Sequence, residues 1–471
     1  MTATTQEKPA YQRPTLQRHR SGAMNKMGAL PACKPQPSID GVSVDSLVER
    51  YGSPQFVYSQ RTLEDQYRRL RDAMVRYYPR VQLAWSYKTC YLDAVCRVFH
   101  REGAYAEAVS GMEVEKALRN GVPMNQIVFN GPHKEPEMLE KALLGGAMVN
   151  IDHFDEMAQI EAMAEKLGIV PKVGIRLNMA AGVTPRWDRF GFNLDSGQAW
   201  DAVRRLLGGR KLQLAGLHCH LGTFILDVDA YREGAAKVAA FANRLRAELG
   251  IVLDYIDLGG GFASKNRLKS QYLPAEQVTP SFEQYAEAIG GGLSELDYWH
   301  DEMPLLLLET GRALVDEAGT LVATVIANKR LADGRRAVVL DAGVNVLFTA
   351  YWYRYEIVPT TPVHGVPEPT VLFGPLCMNI DVVCENLLLP PLPVGTKVLV
   401  GPVGAYNVTQ SMQFIHLRPA VTMIAPTGEH AVIRRAETLD DLVIGESVPA
   451  WIDDAPVAAP SLPAPAPRIL H

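Results

Sequence analysis

Residues 81–90, VQLAWSYKTC, decide the fold. The apolar run is rich in β-forming side chains and reads as a buried strand, and it closes on Tyr87, Lys88 and Thr89. A lysine at the mouth of a buried strand must stretch to solvent, pair with an acid, or be used chemically. Working outward, this strand is followed by a helical segment, "LDAVCRVFHREG", and the alternation then repeats. "AYAEAVS", "QIVFNGP", "AMVNIDH", "PKVGIRLN", "LQLAGLHCHLG" and "LDYIDLGGGF" are strand-like, each followed by a segment of 3.6-residue periodicity that often ends at glycine. "PLLLLETGR" closes the series. About eight strand–helix alternations are the arithmetic of an α/β fold, a parallel (β/α)8 barrel, and not of a sandwich. Such barrels carry their chemistry at the C-terminal ends of the strands. Lys88 ends the first strand, "HCHLG" the sixth, "GGGF" the seventh and "ETGR" the eighth, so the unusual residues converge on one face.

At 471 residues the chain is long enough for a barrel plus a second domain. After about residue 325 the pattern changes to β-rich segments separated by Pro/Gly turns, such as "RRAVVLDAGVNVLF" and "TKVLVGPVGAY". The expected division is a disordered arm over 1–36, an N-terminal segment over 37–58 that adds a strand ("QFVYS") to the β domain, a barrel over 59–325, a C-terminal β domain over 326–450, and a disordered Pro/Ala tail over 451–471. The net charge of −5 comes from 47 basic and 52 acidic residues with interspersed signs, which argues against a nucleic-acid or membrane-surface partner. No apolar run approaches the roughly 20 residues of a bilayer span, and the N-terminus has no apolar signal core. Six scattered cysteines without a C-x-x-C pair point to a reducing cytoplasm and away from a disulfide framework or zinc site.

Several side chains suggest a site. Gly259-Gly260-Gly261 follows a strand, where backbone N–H groups can approach an anion, and "ETGR" supplies a second Gly-Arg turn at the next strand end. Glu309 ends a run of four leucines, so its carboxylate needs a partner: Arg312, Arg176, or a protonated heterocyclic nitrogen. His218 and His220 face the same way on a strand. They could bind a metal, but no further ligand pattern supports one; a flat imidazole could equally cover an aromatic cofactor. Lysine, glycine turns, acid and ring are together the parts a pyridoxal 5'-phosphate (PLP) site requires.

With "SYKTC", "AEAVSGMEVEKAL", "IVFNGPHK", "GLHCHLGT", "DLGGGF", "ETGR", "VLDAG", "GPLCMNID" and "GAY" in order, the chain resembles the fold-type III PLP-dependent decarboxylases, the group of diaminopimelate, ornithine and arginine decarboxylases. The resemblance runs from about residue 40 to about 440. It implies an alanine racemase-like PLP-binding barrel, with Lys88 forming the internal aldimine and His220 stacked on the pyridine ring. Thr223, Gly260, Gly261, Gly311, Arg312 and Tyr406 would surround the phosphate, and Glu309 would bind the pyridine nitrogen. Cys377 would come from the partner subunit of a homodimer and return a proton after carbon dioxide leaves. An acid at Glu309, which keeps the ring protonated and the quinonoid accessible, favours decarboxylation over racemisation.

Two positions depart from the diaminopimelate pattern. Met378 follows the cysteine where an acid is typical, and Thr349 stands where an arginine grips the distal carboxylate. Asp381 remains, and Tyr353 belongs to an aromatic cluster with Tyr351 and Trp352. Met378, Thr349, Asp381 and Tyr353 are the expected substrate contacts, and the expected substrate has a neutral, aromatic or modified tail of the kind found in secondary metabolism. The alternatives are a diaminopimelate or basic D-amino-acid decarboxylase, a subgroup of which shares the Lys-Thr-Cys stretch, and a catalytically silent PLP-binding regulator.

Overall fold

The computed structural model describes residues 34–453 apart from 184 and 186. Most of the expected N-terminal arm and C-terminal tail lies outside the described residues. At their inner edges, Gln36 N–H donates to Pro359 O at 3.0 Å, and residues 451–453 close a short helix, Ala450–Asp453, so order extends slightly beyond the expected limits.

Eight parallel strands form the barrel: Val81–Ser86, Tyr105–Ala108, Ile127–Phe129, Met148–Ile151, Lys172–Asn178, Gln213–Cys219, Tyr255–Asp257 and Leu305–Thr310. The last strand pairs with the first, Leu306 with Val81 and Glu309 with Ala84, and this closes the ring. Helices Asp93–Arg101, Gly111–Arg119, Pro136–Leu144, Phe154–Leu167, Gln198–Gly209, Val228–Leu249 and Phe282–Leu293 follow the first seven strands. Helix Gln60–Val75, ahead of the first strand, completes the outer layer against Phe282–Leu293 and Asp93–Arg101.

Side chains alternate across each strand, which sets what faces the barrel axis. Ala84, Val128, Ala215, Tyr255 and Leu307 pack together as a floor layer, while Leu83, Trp85, Leu306 and Leu308 turn outward into the main core. Tyr255 fills the floor and donates its hydroxyl to Asn150 Oδ1 at 2.7 Å. Gly216 is required beside it, because a Cβ there would overlap the Tyr255 ring. Two residues above the floor, the same parity brings Ser86, Asn130, Asp257 and Glu309 to the upper end of the axis, joined by Glu107, Arg176 and, past a register shift between Leu214 and Gly216, His218.

The second unit is a β-sheet centred on the long strand Gly319–Arg330. Gln55–Ser59 runs antiparallel to this strand and parallel to Ala420–Ile424, so a segment ahead of the barrel is woven into the sheet that follows it. Gly319–Arg330 straddles the expected division at 325. Its first half pairs with Gln55–Ser59 and Lys397–Gly401, so the sheet begins as soon as the turn after "ETGR" is complete. Among the described residues no helix is long and apolar enough to cross a membrane.

Candidate active site

The strand ends enclose a cavity of about 280 Å3, near the lower end of the range for ligand pockets. Lys88 sits on a single 3-10 turn, Tyr87–Thr89, immediately above the first strand. Its ammonium pairs with Glu107, which also accepts from Ser86 Oγ and, at 3.3 Å, from Asn130 Nδ2. Glu107 is buried, whereas 37% of the Lys88 side chain is exposed, and that exposed part faces the cavity. Burial alone would lower the Lys88 pKa, but the nearby Glu107 and Glu309 carboxylates win and raise it. The resting amine is therefore a held ammonium.

Glu309, 5% exposed, faces the same cavity from the eighth strand. It accepts from Asn130 Nδ2 and lies 3.4 Å from His218 Nε2. Neither arginine considered from the sequence pairs with it: Arg176 lies 3.5 Å from Asp152, and Arg312 lies 3.3 Å from Asp316. Burial disfavours ionised Glu309, but His218 and Lys88 outweigh it, and the carboxyl is held well below its ordinary range.

His220 also lines the cavity. Its Nδ1 accepts the Gly260 N–H at 3.1 Å, which leaves the proton of the neutral ring on Nε2. Burial, with Arg176 and Lys88 nearby, pushes its pKa down to about 3, so the ring presents a neutral flat face near neutral pH. Trp187 lies beside it with ring centroids 5.3 Å apart.

The glycine turn is tightly constrained. Gly259 and Gly261 have φ of 66° and 92°, and a Cβ on Gly260 would overlap Glu309 O. Gly261 lines the cavity. Gly260 does not present a free amide to an anion, contrary to expectation, because its N–H is taken by His220. Thr223, Gly311, Arg312 and Tyr406 complete that wall. Tyr406 reaches it from the β unit in a left-handed conformation (φ 66°), with its N–H on Thr89 O at 2.8 Å. The Arg312 guanidinium lies over the rings of Tyr353 and Tyr406, 4.7 and 4.9 Å from their centroids.

Two buried donors here lack protein partners, Arg312 Nε and Thr89 Oγ1. Unpaired buried donors are costly, and an anion satisfies them. The residues therefore fit PLP: donors that suit an anion, an amine, a buried carboxylate and a flat neutral imidazole line one cavity.

Six expected residues do not line this cavity in the single chain: Gly260, Thr349, Tyr353, Cys377, Met378 and Asp381. Cys377 is exposed and Met378 half-buried, both outside it. Asp381 is buried, and its carboxylate accepts the N–H groups of Val344 and Leu376, both at 2.8 Å. Thr349 is buried against Tyr355 Oη at 2.6 Å and Asn407 Oδ1 at 3.1 Å. These two side chains are engaged in bonds within the chain's own structure and do not line the cavity of the single chain. Tyr353 acts from behind, through Arg312. Sequence reading missed Glu107, Asn130, Asp257 and the wall made by Trp187 and Phe190. Strand parity, counted from Tyr105, Val128 and Tyr255, is the signal for the first three.

Residues 61–316 match the family model described as "Pyridoxal-dependent decarboxylase, pyridoxal binding domain". The chain is 28% identical to a diaminopimelate decarboxylase of Bacillus subtilis (strain 168), over 86% of this chain and 94% of that one. It is 31% identical to a diaminopimelate decarboxylase of Actinosynnema pretiosum subsp. auranticum, over 86% and 91%. The crystal structure of the M. jannaschii diaminopimelate decarboxylase superposes with a TM-score of 0.80 at 28% identity, covering 88% of this chain and 96% of that one. A Vibrio vulnificus lysine/ornithine decarboxylase complexed with putrescine gives 0.68 at 26% identity, covering 81% and 96%. The lysine-bearing cavity and these likenesses agree, and the chain belongs to the pyridoxal-dependent decarboxylases, PLP-dependent carboxy-lyases that act on amino acids.

Proposed function

We propose that this chain removes the α-carboxylate of a free amino acid, with diaminopimelate, the substrate named for its relatives, as the first candidate. The observation that carries the reading is the Lys88–Glu107 pair and Glu309 lining one cavity, with Asn130 bonded to both carboxylates. PLP, when bound, supplies the electron sink for the pair left on Cα as carbon dioxide departs. Lys88 is the amine placed to hold the cofactor aldehyde, and Glu107 takes and returns the proton on Nζ. Glu309 is the anion that would keep a proton on the ring nitrogen. His220, neutral, would cover the ring face, and Arg312, Thr89, Thr223, Gly261, Gly311 and Tyr406 would hold the phosphate.

Reprotonation of Cα needs an acid, and Cys377 lies outside the chain's own cavity. We propose a homodimer in which Cys377 of a second copy reaches the site. Ile380, near it in sequence, is 70% exposed, and Tyr351 is 74% exposed, which suits a surface that a second copy covers. Cross-linking and sedimentation test the dimer. Complementation between Lys88→Ala and Cys377→Ala chains tests the shared site, since mixed dimers regain one intact site.

A second substrate reading rests on one observation: the cavity's arginines are already paired, Arg312 with Asp316 and Arg176 with Asp152. Among the described residues, both arginines on this cavity wall already have a carboxylate partner, and neither Thr349 nor Met378 brings a positive charge, which favours a neutral, aromatic or modified tail. Carbon dioxide release, with mass spectrometry of the amine, decides between the two. Efficient turnover of meso-diaminopimelate supports the first; turnover confined to neutral or blocked tails supports the second; release from no amino acid overturns both.

A further inference from the structure

Glu309 belongs to a buried cluster of three ionisable side chains. Ligating atoms of His218, Asp257 and Glu309 all lie within 4.8 Å of one another, and all three residues are buried. His218 is 2% exposed and Asp257 fully buried, yet both His218 ring nitrogens and Asp257 Oδ2 lack any hydrogen-bond partner. The other Asp257 oxygen accepts the Gly259 N–H at 2.8 Å, and Glu309 N–H donates to Gly259 O at 2.8 Å. The cluster thus joins the glycine turn to the cofactor acid.

Two carboxylates this close in a water-poor space do not both ionise. Their neighbours decide which one keeps the proton. Glu309 has Asn130 Nδ2, His218 and the Lys88 ammonium beside it. Asp257 has one backbone N–H and an orphaned oxygen, with Glu107 adding negative charge nearby. A proton on Asp257 Oδ2 turns that orphaned acceptor into a donor toward Glu309. We propose that Asp257 and His218 are positioning residues for Glu309: Asp257 holds the single proton of the carboxylate pair and donates it in a hydrogen bond, and His218 donates from Nε2, so that Glu309 is fixed as an anion at the cofactor cavity. The charge balance agrees, since burial and Glu309 push the Asp257 carboxyl well up while Glu309 is driven down. The inference rests on the PLP reading of the cavity and names what sets the charge of its acid.

Two arms test it on the full-length chain. In the first, infrared difference spectra of cofactor-free protein compare wild type with Asp257→Asn. A protonated-carboxyl band that disappears in the variant is expected; a spectrum showing only loss of an ionised carboxylate overturns the proposal. In the second, PLP affinity and the visible spectrum of the loaded protein are measured. Asp257→Asn keeps an N–H donor and should hold the cofactor within about threefold of wild type, whereas Asp257→Ala and His218→Phe should weaken it about tenfold or more and shift the absorbance. Equal weakening in Asn and Ala, or tightly bound zinc in the purified chain, overturns it. If wild type takes up no PLP, the cavity reading fails, while the infrared arm still decides where the proton lies.

Discussion

Two lysines stand just beyond strand ends of the same barrel, and they do opposite things. Lys88 keeps 37% of its side chain exposed to a cavity and has one ionic partner, Glu107. Lys134, after the third strand, has a fully buried side chain and spends its ammonium on Glu156 Oε1 at 2.6 Å, Gly131 O at 3.0 Å and Asn150 O at 2.9 Å. An ammonium has three donors, so Lys134 is saturated and Lys88 is not. Burial is the largest influence on both pKa values and lowers each. For Lys134 it prevails despite Glu156; for Lys88 the carboxylates at the cavity prevail. The contrast teaches that a buried lysine is chemical when it retains an open direction and structural when every donor is used.

The sharpest way to break the contrast is substitution. Lys88→Ala should abolish decarboxylation, with a fall of at least about 1000-fold in kcat/KM. Its unfolding free energy should drop by only about 1–2 kcal/mol, because Glu107 keeps Ser86 and Asn130 and can take up a proton. Lys134→Ala should do the reverse. It strands a buried Glu156 and should cost about 3–5 kcal/mol in denaturant unfolding, while the folded fraction keeps its cofactor. Equal stability losses in the two variants would contradict the distinction.

Glu107→Gln sharpens the Lys88 side. It preserves shape but removes the proton acceptor, and kcat should fall about 100-fold with less change in KM. A smaller effect is expected from pH. His220 is neutral when folded down to about pH 3, whereas in the unfolded chain it takes up a proton below its ordinary pKa. The unfolded state therefore binds more protons in that window, and stability contributed by His220 is lost as pH falls toward the folded value. Cofactor-free wild type should lose more stability between about pH 7 and about pH 4 than His220→Phe does, as read by urea midpoints.

Much of the barrel was legible in the sequence because repetition is hard to mistake. Eight strand-like segments separated by amphipathic helices admit few architectures, and Lys88, His220, Glu309, Gly261 and Arg312 all meet at one cavity. What was less legible is how bonds are shared once the side chains meet. "DLGGGF" shows three glycines, but not that the amide of Gly260 is taken by His220. "GPLCMNID" shows an acid, but not that Asp381 is consumed by two backbone amides. Glu107 and Asn130 were quoted inside motifs yet passed over, because their importance arises from strand parity across neighbours distant in sequence. The expected division at 325 falls inside one strand, Gly319–Arg330, whose side chains change from mostly buried to exposed after Val325, so the sequence pattern changes where the backbone element does not.

The central claim is that Lys88, and not Lys134, carries the cofactor. Borohydride reduction of the PLP-loaded chain, followed by proteolysis and peptide mass spectrometry, tests it directly. The account predicts a reduced pyridoxyl group on the peptide containing Lys88 and none on the peptide containing Lys134. Label on Lys134 or on any other lysine, or bound PLP that leaves no covalent mark, would contradict it.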